Sequence, residues 1–263
     1  MPTIHPSAVV SDKASIADSA IIGPYCIVGE GVILAEDVEL KSHVVIEGNT
    51  HVGKETVIYS FAVIGTPSQD KKFKEGQETK LIIGENNVIR EHVTINPGHT
   101  EPERSTQLGN NCLLMVGAHI AHDCQVGDNV IMANNATLGG HVTVGNNAIL
   151  GGLSAVHQFV RIGNFAIIGG MSGVENDVIP YGSVKGERAK LSGVNIIGLK
   201  RNGFSRSQIQ SIREAYDALF GPNGPLSDRL KQVANDYQNE DVINSIVDFI
   251  RQESSRGICQ PGL

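Results

Sequence analysis

The chain of 263 residues contains no tryptophan, and aromatic residues make up only 5% of it, so a core packed from bulky rings is excluded. Its four cysteines, Cys26, Cys112, Cys124 and Cys259, include no CxxC pair, and no secretory h-region opens the sequence. Unpaired, mostly structural thiols in a reducing, cytoplasmic setting are therefore expected. No apolar run reaches the ~20 residues that a membrane span needs. Membrane insertion is not expected, and any membrane connection would run through substrate or product. Basic charge is also short: the formal net charge is −7, against non-specific binding of nucleic acid, which requires a basic surface to neutralise phosphates.

What is abundant is glycine, 30 residues in all, with Val, Ile and Ala. Such a composition predicts many short strands joined by tight turns. Written in sixes from Ile4, the chain places an aliphatic residue in one column at Ile4, Val10, Ile16, Ile22, Val28, Leu34, Leu40, Ile46, Val52, Ile58 and Ile64. The register breaks after Gly65, returns at Ile83, Ile89 and Ile95, breaks again after Asn96, and then runs without interruption from Leu108 to Val174. Glycine recurs in the second column, and small or β-branched residues, such as Cys112, Ala118, Cys124 and Val130, fill the fifth.

A period of six fits neither an amphipathic helix nor an up-and-down sheet. It fits a triangular solenoid in which each hexad makes one face and one corner, with the aliphatic and small columns facing in. Gly and Asn near corners are expected to supply the positive φ of tight turns. The expected organisation is a β-helix over residues 1–185, with loops at about 66–81 and 97–107, followed by an α-helical C-terminal domain over 186–263. In that second part Ser205 and Gln208 form a capping box before a helical run, and Ser227 and Asn239 are candidate caps for two more helices. The helical part is placed to cover the open end of the solenoid. Residues 185–206 carry Lys185, Arg188, Lys190, Lys200, Arg201 and Arg206 against the single acid Glu187, a basic patch suited to an anionic partner.

Three hexads make a coil of 18, so the spacing is a ruler. His122, Gly140 and Gln158 stack in one column, His141 and His157 adjoin it, and His119 lies half a hexad away. One corner histidine is ordinarily just exposed; four along one edge suggest chemistry. Histidine titrates near neutrality and suits general-base work. Asp123 can fix its tautomer, and bare Gly140 lets a backbone N–H approach a developing oxyanion. A base beside such a donor suffices to move an acyl group onto a hydroxyl or amine without a Ser or Cys nucleophile.

The segments His119-Ile-Ala-His122-Asp-Cys, Ala133-Asn-Asn-Ala-Thr-Leu-Gly-Gly-His141 and Ala155-Val-His-Gln-Phe159 resemble the UDP-N-acetylglucosamine O-acyltransferase family of lipid A synthesis. So do Gln69-Asp70, Gly193-Val-Asn-Ile196 and Gly198-Leu-Lys-Arg201. The resemblance spans essentially the whole chain. It implies a left-handed parallel β-helix, a homotrimer with sites between subunits, and no cofactor. It also implies transfer of a 3-hydroxyacyl chain from acyl carrier protein to the 3-position of a UDP-sugar. On matching positions, His122 is the base, Asp123 its partner and Gly140 the oxyanion donor. Gln69 lies in the matching first-loop motif; Asp70, Lys72 and His141 contact or place the sugar; and His119, His157 and Gln158 line the site. Asn195 and Arg201 hold the nucleotide, and Gly170 limits acyl length. Acidic carrier protein suits the basic patch. The chain departs from the family pattern at Asn96, Ile197 and Asn202, where a histidine, an acid and a second arginine are common. These departures leave a 3-amino acceptor open. Three other readings compete: a γ-type carbonic anhydrase with zinc held by three histidines between subunits, a later N-acyltransferase, which predicts a large domain ahead of the hexads, and a non-catalytic scaffold.

Overall fold

The computed structural model describes residues 1–99, 105–222 and 224–262. The hexads form a left-handed parallel β-helix whose three faces are sheets of 11, 9 and 8 strands, here A, B and C. Left-handed crossovers are an exception to the usual rule. Most strands are two residues long, and register advances by one coil along each face: His119 pairs with Thr137, and Thr137 with Ala155. The aliphatic column lies inside, with Ile22, Leu40, Ile64, Ile89, Leu114 and Leu150 at most 1% exposed. Burial of each such side chain contributes about 2 kcal/mol. The fifth column is buried beside it, because Ala118, Cys124 and Ala136 leave just enough room in a narrow prism.

The corners differ from expectation in one respect. Left-handed backbone is held by asparagines such as Asn111, Asn129 and Asn147 and by glycines such as Gly31, Gly48 and Gly117, but also by Tyr25, Asp123, His141 and Phe159, whereas the second-column glycines other than Gly65 have no positive φ. Those glycines are needed for close approach instead. A Cβ built on Gly109 would lie 2.6 Å from the Gly127 carbonyl of the next coil.

The loops are shorter at their ends than the spacing indicates. Leu81–Ile83 and Thr106–Leu108 are strands of sheet C, paired to each other and, through Leu81, to Thr50. Residues 100–104 of the second loop lie outside the described residues. Both insertions leave the prism at the same corner, after the sheet B strands Val63–Ile64 and Thr94–Ile95. The next coil carries His119–Ile120 in that sheet, so its B-to-C corner is His122–Asp123. Successive loops thus project from the corner directly beside these residues, and a backbone bridge between Lys80 and Gly98 ties one loop to the other.

Beyond Pro180 strand structure continues further than expected. Gly182–Lys185 adds to sheet A in parallel, and Lys190–Val194 folds back antiparallel onto it. Four helices follow: α1 (Ile196–Arg201), α2 (Arg206–Phe220), α3 (Leu226–Asp236) and α4 (Asp241–Arg251). The Ser205–Gln208 capping box is formed at α2. Helices α3 and α4 start instead after Pro225 and Glu240, so Ser227 and Asn239 do not cap them. The extended backbone of Pro225 enters its helix without a side-chain cap. Buried Asp177 pairs with Arg161, whose guanidinium also lies over Phe249 of α4, fastening the helical part to sheet C. No helix among the described residues is long and apolar enough to cross a membrane.

Candidate active site

The B-to-C corner brings together what the 18-residue ruler stacked. His122 is 9% exposed, and its Nδ1 lies 2.7 Å from Asp123 Oδ2. Asp123 is 3% exposed and sits in left-handed backbone, which turns its side chain back along its neighbour's ring. Its N–H donates to Thr106 Oγ1 at 2.8 Å, and the His99 N–H donates to its Oδ1 at 3.3 Å. A carboxylate on Nδ1 fixes the tautomer that leaves Nε2 as acceptor. That Nε2 points toward the first loop, 3.5 Å from Asp70 Oδ2. The Lys72 N–H, with lesser help from His122, holds the Asp70 carboxyl below its usual range. Asn96 steadies this loop by donating through Nδ2 to the carbonyls of Thr66 and Pro67.

Gly140 lies under the base. A Cβ built there would stand 2.6 Å from His122 Cε1 and Nε2, so the imidazole occupies the space that any side chain would take. Among the described residues no group of the chain accepts from the Gly140 N–H. His141 meets His122 edge-on at 5.1 Å between ring centres and stacks on Phe159 at 4.5 Å. A cavity of about 380 Å³ opens beside Asp123, His141 and Phe159, walled on its far side by Glu253–Ser255.

The remaining expected residues are placed unevenly. His119 bonds Thr94 Oγ1 through Nδ1, and burial, reinforced by His122, pushes its imidazole down toward the neutral form. Gln69 and Lys72 are exposed on the first loop. His157 and Gln158 face the C-terminal tail: Arg256 reaches His157 Nδ1 at 2.7 Å and the Gln158 carbonyl at 3.0 Å. Gly170 sits at the A-to-B corner, a full sheet away from His122 in one chain. Asn195 caps α1 through Oδ1 and donates Nδ2 to the Phe165 carbonyl, so its side chain is used within the chain. Arg201 ends α1 and is exposed.

Three contributors went unread in the sequence. Phe159 was legible, being 18 residues beyond His141. Thr106 and His99 border the second insertion, where the ruler has no purchase. His99 is 5% exposed, and its ring lies 4.7 Å from that of His122. Two sets, Asp70–His99–His122 and His122–Asp123–His141, each bring three ligand atoms within 4.8 Å, so the corner has donors that a metal could use. Both sets include carboxylates rather than three histidines.

Residues 105–140 match the family model for bacterial transferase hexapeptide repeats, and residues 177–259 match that for the second domain of UDP N-acetylglucosamine O-acyltransferase. The acyl-(acyl-carrier-protein)–UDP-N-acetylglucosamine O-acyltransferase of Rickettsia rickettsii is 58% identical over 98% of this chain and 97% of its own length. That of Caulobacter vibrioides is 51% identical over 98% of both. Among solved structures, the Moraxella catarrhalis UDP-N-acetylglucosamine O-acyltransferase superposes with a TM-score of 0.94 at 41% identity, covering 98% of this chain and 99% of that one.

Proposed function

The chain belongs to the acyl-(acyl-carrier-protein)–UDP-N-acetylglucosamine O-acyltransferase family and is an acyltransferase; from this premise we propose that it moves a 3-hydroxyacyl chain from acyl carrier protein to the 3-hydroxyl of UDP-N-acetylglucosamine, with His122 as general base. The observation that carries the mechanism is the His122 ring, bonded to Asp123 and lying against Gly140, whose N–H has no acceptor among the described residues.

In this mechanism His122 Nε2 takes the proton of the sugar hydroxyl as its oxygen attacks the thioester carbonyl. The imidazolium is held by Asp123, and the carbonyl oxygen, now an oxyanion, accepts from the Gly140 N–H. Collapse breaks the C–S bond, and His122 returns the proton to the departing thiolate of the carrier. General-base catalysis contributes about 10²–10⁴-fold, and an oxyanion donor about 10²–10³-fold. Asp70 and His141 flank the base on the side where the sugar enters, and Lys72 and Gln69 stand on the same loop. His119, His157 and Gln158 line the approach.

Gly170 limits acyl length from a neighbouring subunit. Its place at a different corner from His122 supports a homotrimer in which each site is shared. Arg201, with Asn195 holding its helix, serves the nucleotide end in the same way. The basic stretch from Lys185 to Arg206 suits the acidic carrier protein, and the setting is cytoplasmic.

The test offers 3-hydroxyacyl carrier proteins of several chain lengths to the enzyme with UDP-N-acetylglucosamine and with its 3-amino analogue, reading products by mass. Ester product with the first sugar is expected. Product only with the amine would move the acceptor and direct attention to Asn96 and Ile197. Absence of both, with stoichiometric zinc in chelator-free protein, would replace acyl transfer by the carbonic-anhydrase reading. Gly170→Met should shift preference to shorter chains.

A further inference from the structure

His99 is the one histidine of the corner that the repeat did not predict. Its surroundings are almost entirely settled by other atoms. The ring is edge-on to Phe73 at 5.4 Å and tilted against His122 at 4.7 Å. The backbone N–H of His99 donates to Asp123 Oδ1, and its backbone carbonyl accepts from Gln77 Nε2 at 3.4 Å. Its ring Nε2 is buried and has no hydrogen-bond partner among the described residues. A buried polar atom left unpaired is destabilising and uncommon in folded proteins. The folded chain would shed that cost by exposing the ring or replacing it with an apolar one. Instead the ring is held 95% buried by Phe73, His122 and the backbone bond to Asp123.

The position explains the exception. One ligand atom each of Asp70, His99 and His122 lie within 4.8 Å of one another, so the space they bound is that in front of the base. A neutral imidazole nitrogen donates or accepts according to its tautomer. Its natural partner is therefore a hydroxyl, which can do either. A carboxylate, an imidazole and the base around one small volume suit a ring carrying several adjacent hydroxyls.

We propose that His99 Nε2 hydrogen-bonds a hydroxyl of the acceptor sugar, and so sets acceptor affinity beside the base; this rests on the acyl-transfer reading above. His99 is then a substrate-binding residue supplied by the second loop. Sites built to hydrogen-bond a substrate hydroxyl reject analogues lacking it.

His99→Phe keeps a ring against Phe73 and His122 and removes the nitrogen. With carrier-protein donor saturating, this variant should raise the KM for UDP-N-acetylglucosamine about tenfold, the change that corresponds to about 1.4 kcal/mol for one neutral hydrogen bond. Its kcat should stay within about twofold, and its Tm should not fall, since a buried unpaired atom has been removed. His99→Gln, which keeps a polar terminus, should recover part of the affinity. An unchanged acceptor KM in His99→Phe would overturn the proposal. So would a fall in kcat with a displaced pH profile at constant KM, which would make His99 a positioning residue for His122. Calorimetric titration with UDP-N-acetylglucosamine separates this from failure of the underlying reading. If the wild type binds the sugar nucleotide without turnover, acyl transfer fails while His99→Phe is still expected to bind about tenfold more weakly; equal binding by both refutes the role of His99.

Discussion

At the C-to-A corner the N–H groups of Glu85, Asn110, Asp128 and Asn146 each donate to the side-chain oxygen of the residue one coil on, Asn110, Asp128, Asn146 and Asn164, at 2.7–2.8 Å. The same turn of backbone at the B-to-C corner presents His122, Gly140 and Gln158. There no ladder closes: the Gln158 side chain bonds nothing among the described residues, and the Gly140 N–H stays open. One corner consumes its amides in holding coils together. The other leaves an amide unused, places an imidazole over it and receives both loops. In this solenoid, the chemistry lies where the repeat's own bonding is withheld.

The comparison can be broken in graded ways. The largest effect is expected from Gly140→Ala, whose methyl would stand 2.6 Å from the His122 ring and displace it from Asp123. A loss in kcat of about 10²-fold or more is expected, the scale of losing an oxyanion donor or its aligned base. Thermal stability should change little. Turnover within twofold of wild type would mean that Gly140 does not serve the base.

Gln158→Asn is the sharper test, because it gives the B-to-C corner the side-chain length that closes the ladder elsewhere. The shortened amide oxygen is expected to cover the Gly140 N–H and lower kcat about tenfold, roughly one hydrogen bond's competition. A kcat unaffected by this change would show that the open N–H is not used.

Asn146→Ala probes the opposite corner. It removes the acceptor of the Asp128 N–H and should cost about 1 kcal/mol in denaturant unfolding while leaving kcat unchanged. Loss of activity without loss of stability would erase the distinction between corners.

The smallest effect concerns the inward thiols beneath the two corners. Burial pushes Cys112 up to about 11 and Cys124 to about 12, from an ordinary value near 9.0, with Asp128 and Asp123 adding to the respective rises. A raised value in the fold means that these thiols favour folding fully below pH 9.0, and that this contribution is lost as pH climbs through about 11 to 12. Stability measured from pH 8 upward should therefore hold near pH 8 and decline across that window, less so in Cys112→Ala. A decline beginning below pH 8 would contradict it.

Most of the prism was legible because a strict spacing of aliphatic and small residues has one geometric solution, and the 18-residue coil then stacks His122 over Gly140 by arithmetic. The same ruler misjudged what lies off the column. It counted Leu81 and Thr106 as loop because insertions reset the register. The contact between His157 and Arg256 of the distant tail is likewise invisible to the spacing. The second-column glycines, Gly65 apart, serve the close approach of the next coil's backbone rather than a positive φ, which the spacing alone does not distinguish. His99 was illegible because a loop's return path depends on tertiary contacts, here Phe73, Asp123 and the Lys80–Gly98 bridge, that no periodicity encodes. Asn195 carried a recognisable motif, but its bonds to Gly198 and Phe165 appear only in the folded chain.

The most direct test of the account is transfer from a 3-hydroxyacyl carrier protein to UDP-N-acetylglucosamine by wild type and His122→Ala under identical conditions, with folding of both checked by thermal denaturation. Ester product is expected from the wild type, with a loss of at least about 10²-fold in the variant at near-equal Tm, the least that removal of a general base should cost. Near-normal turnover by a folded His122→Ala would contradict it.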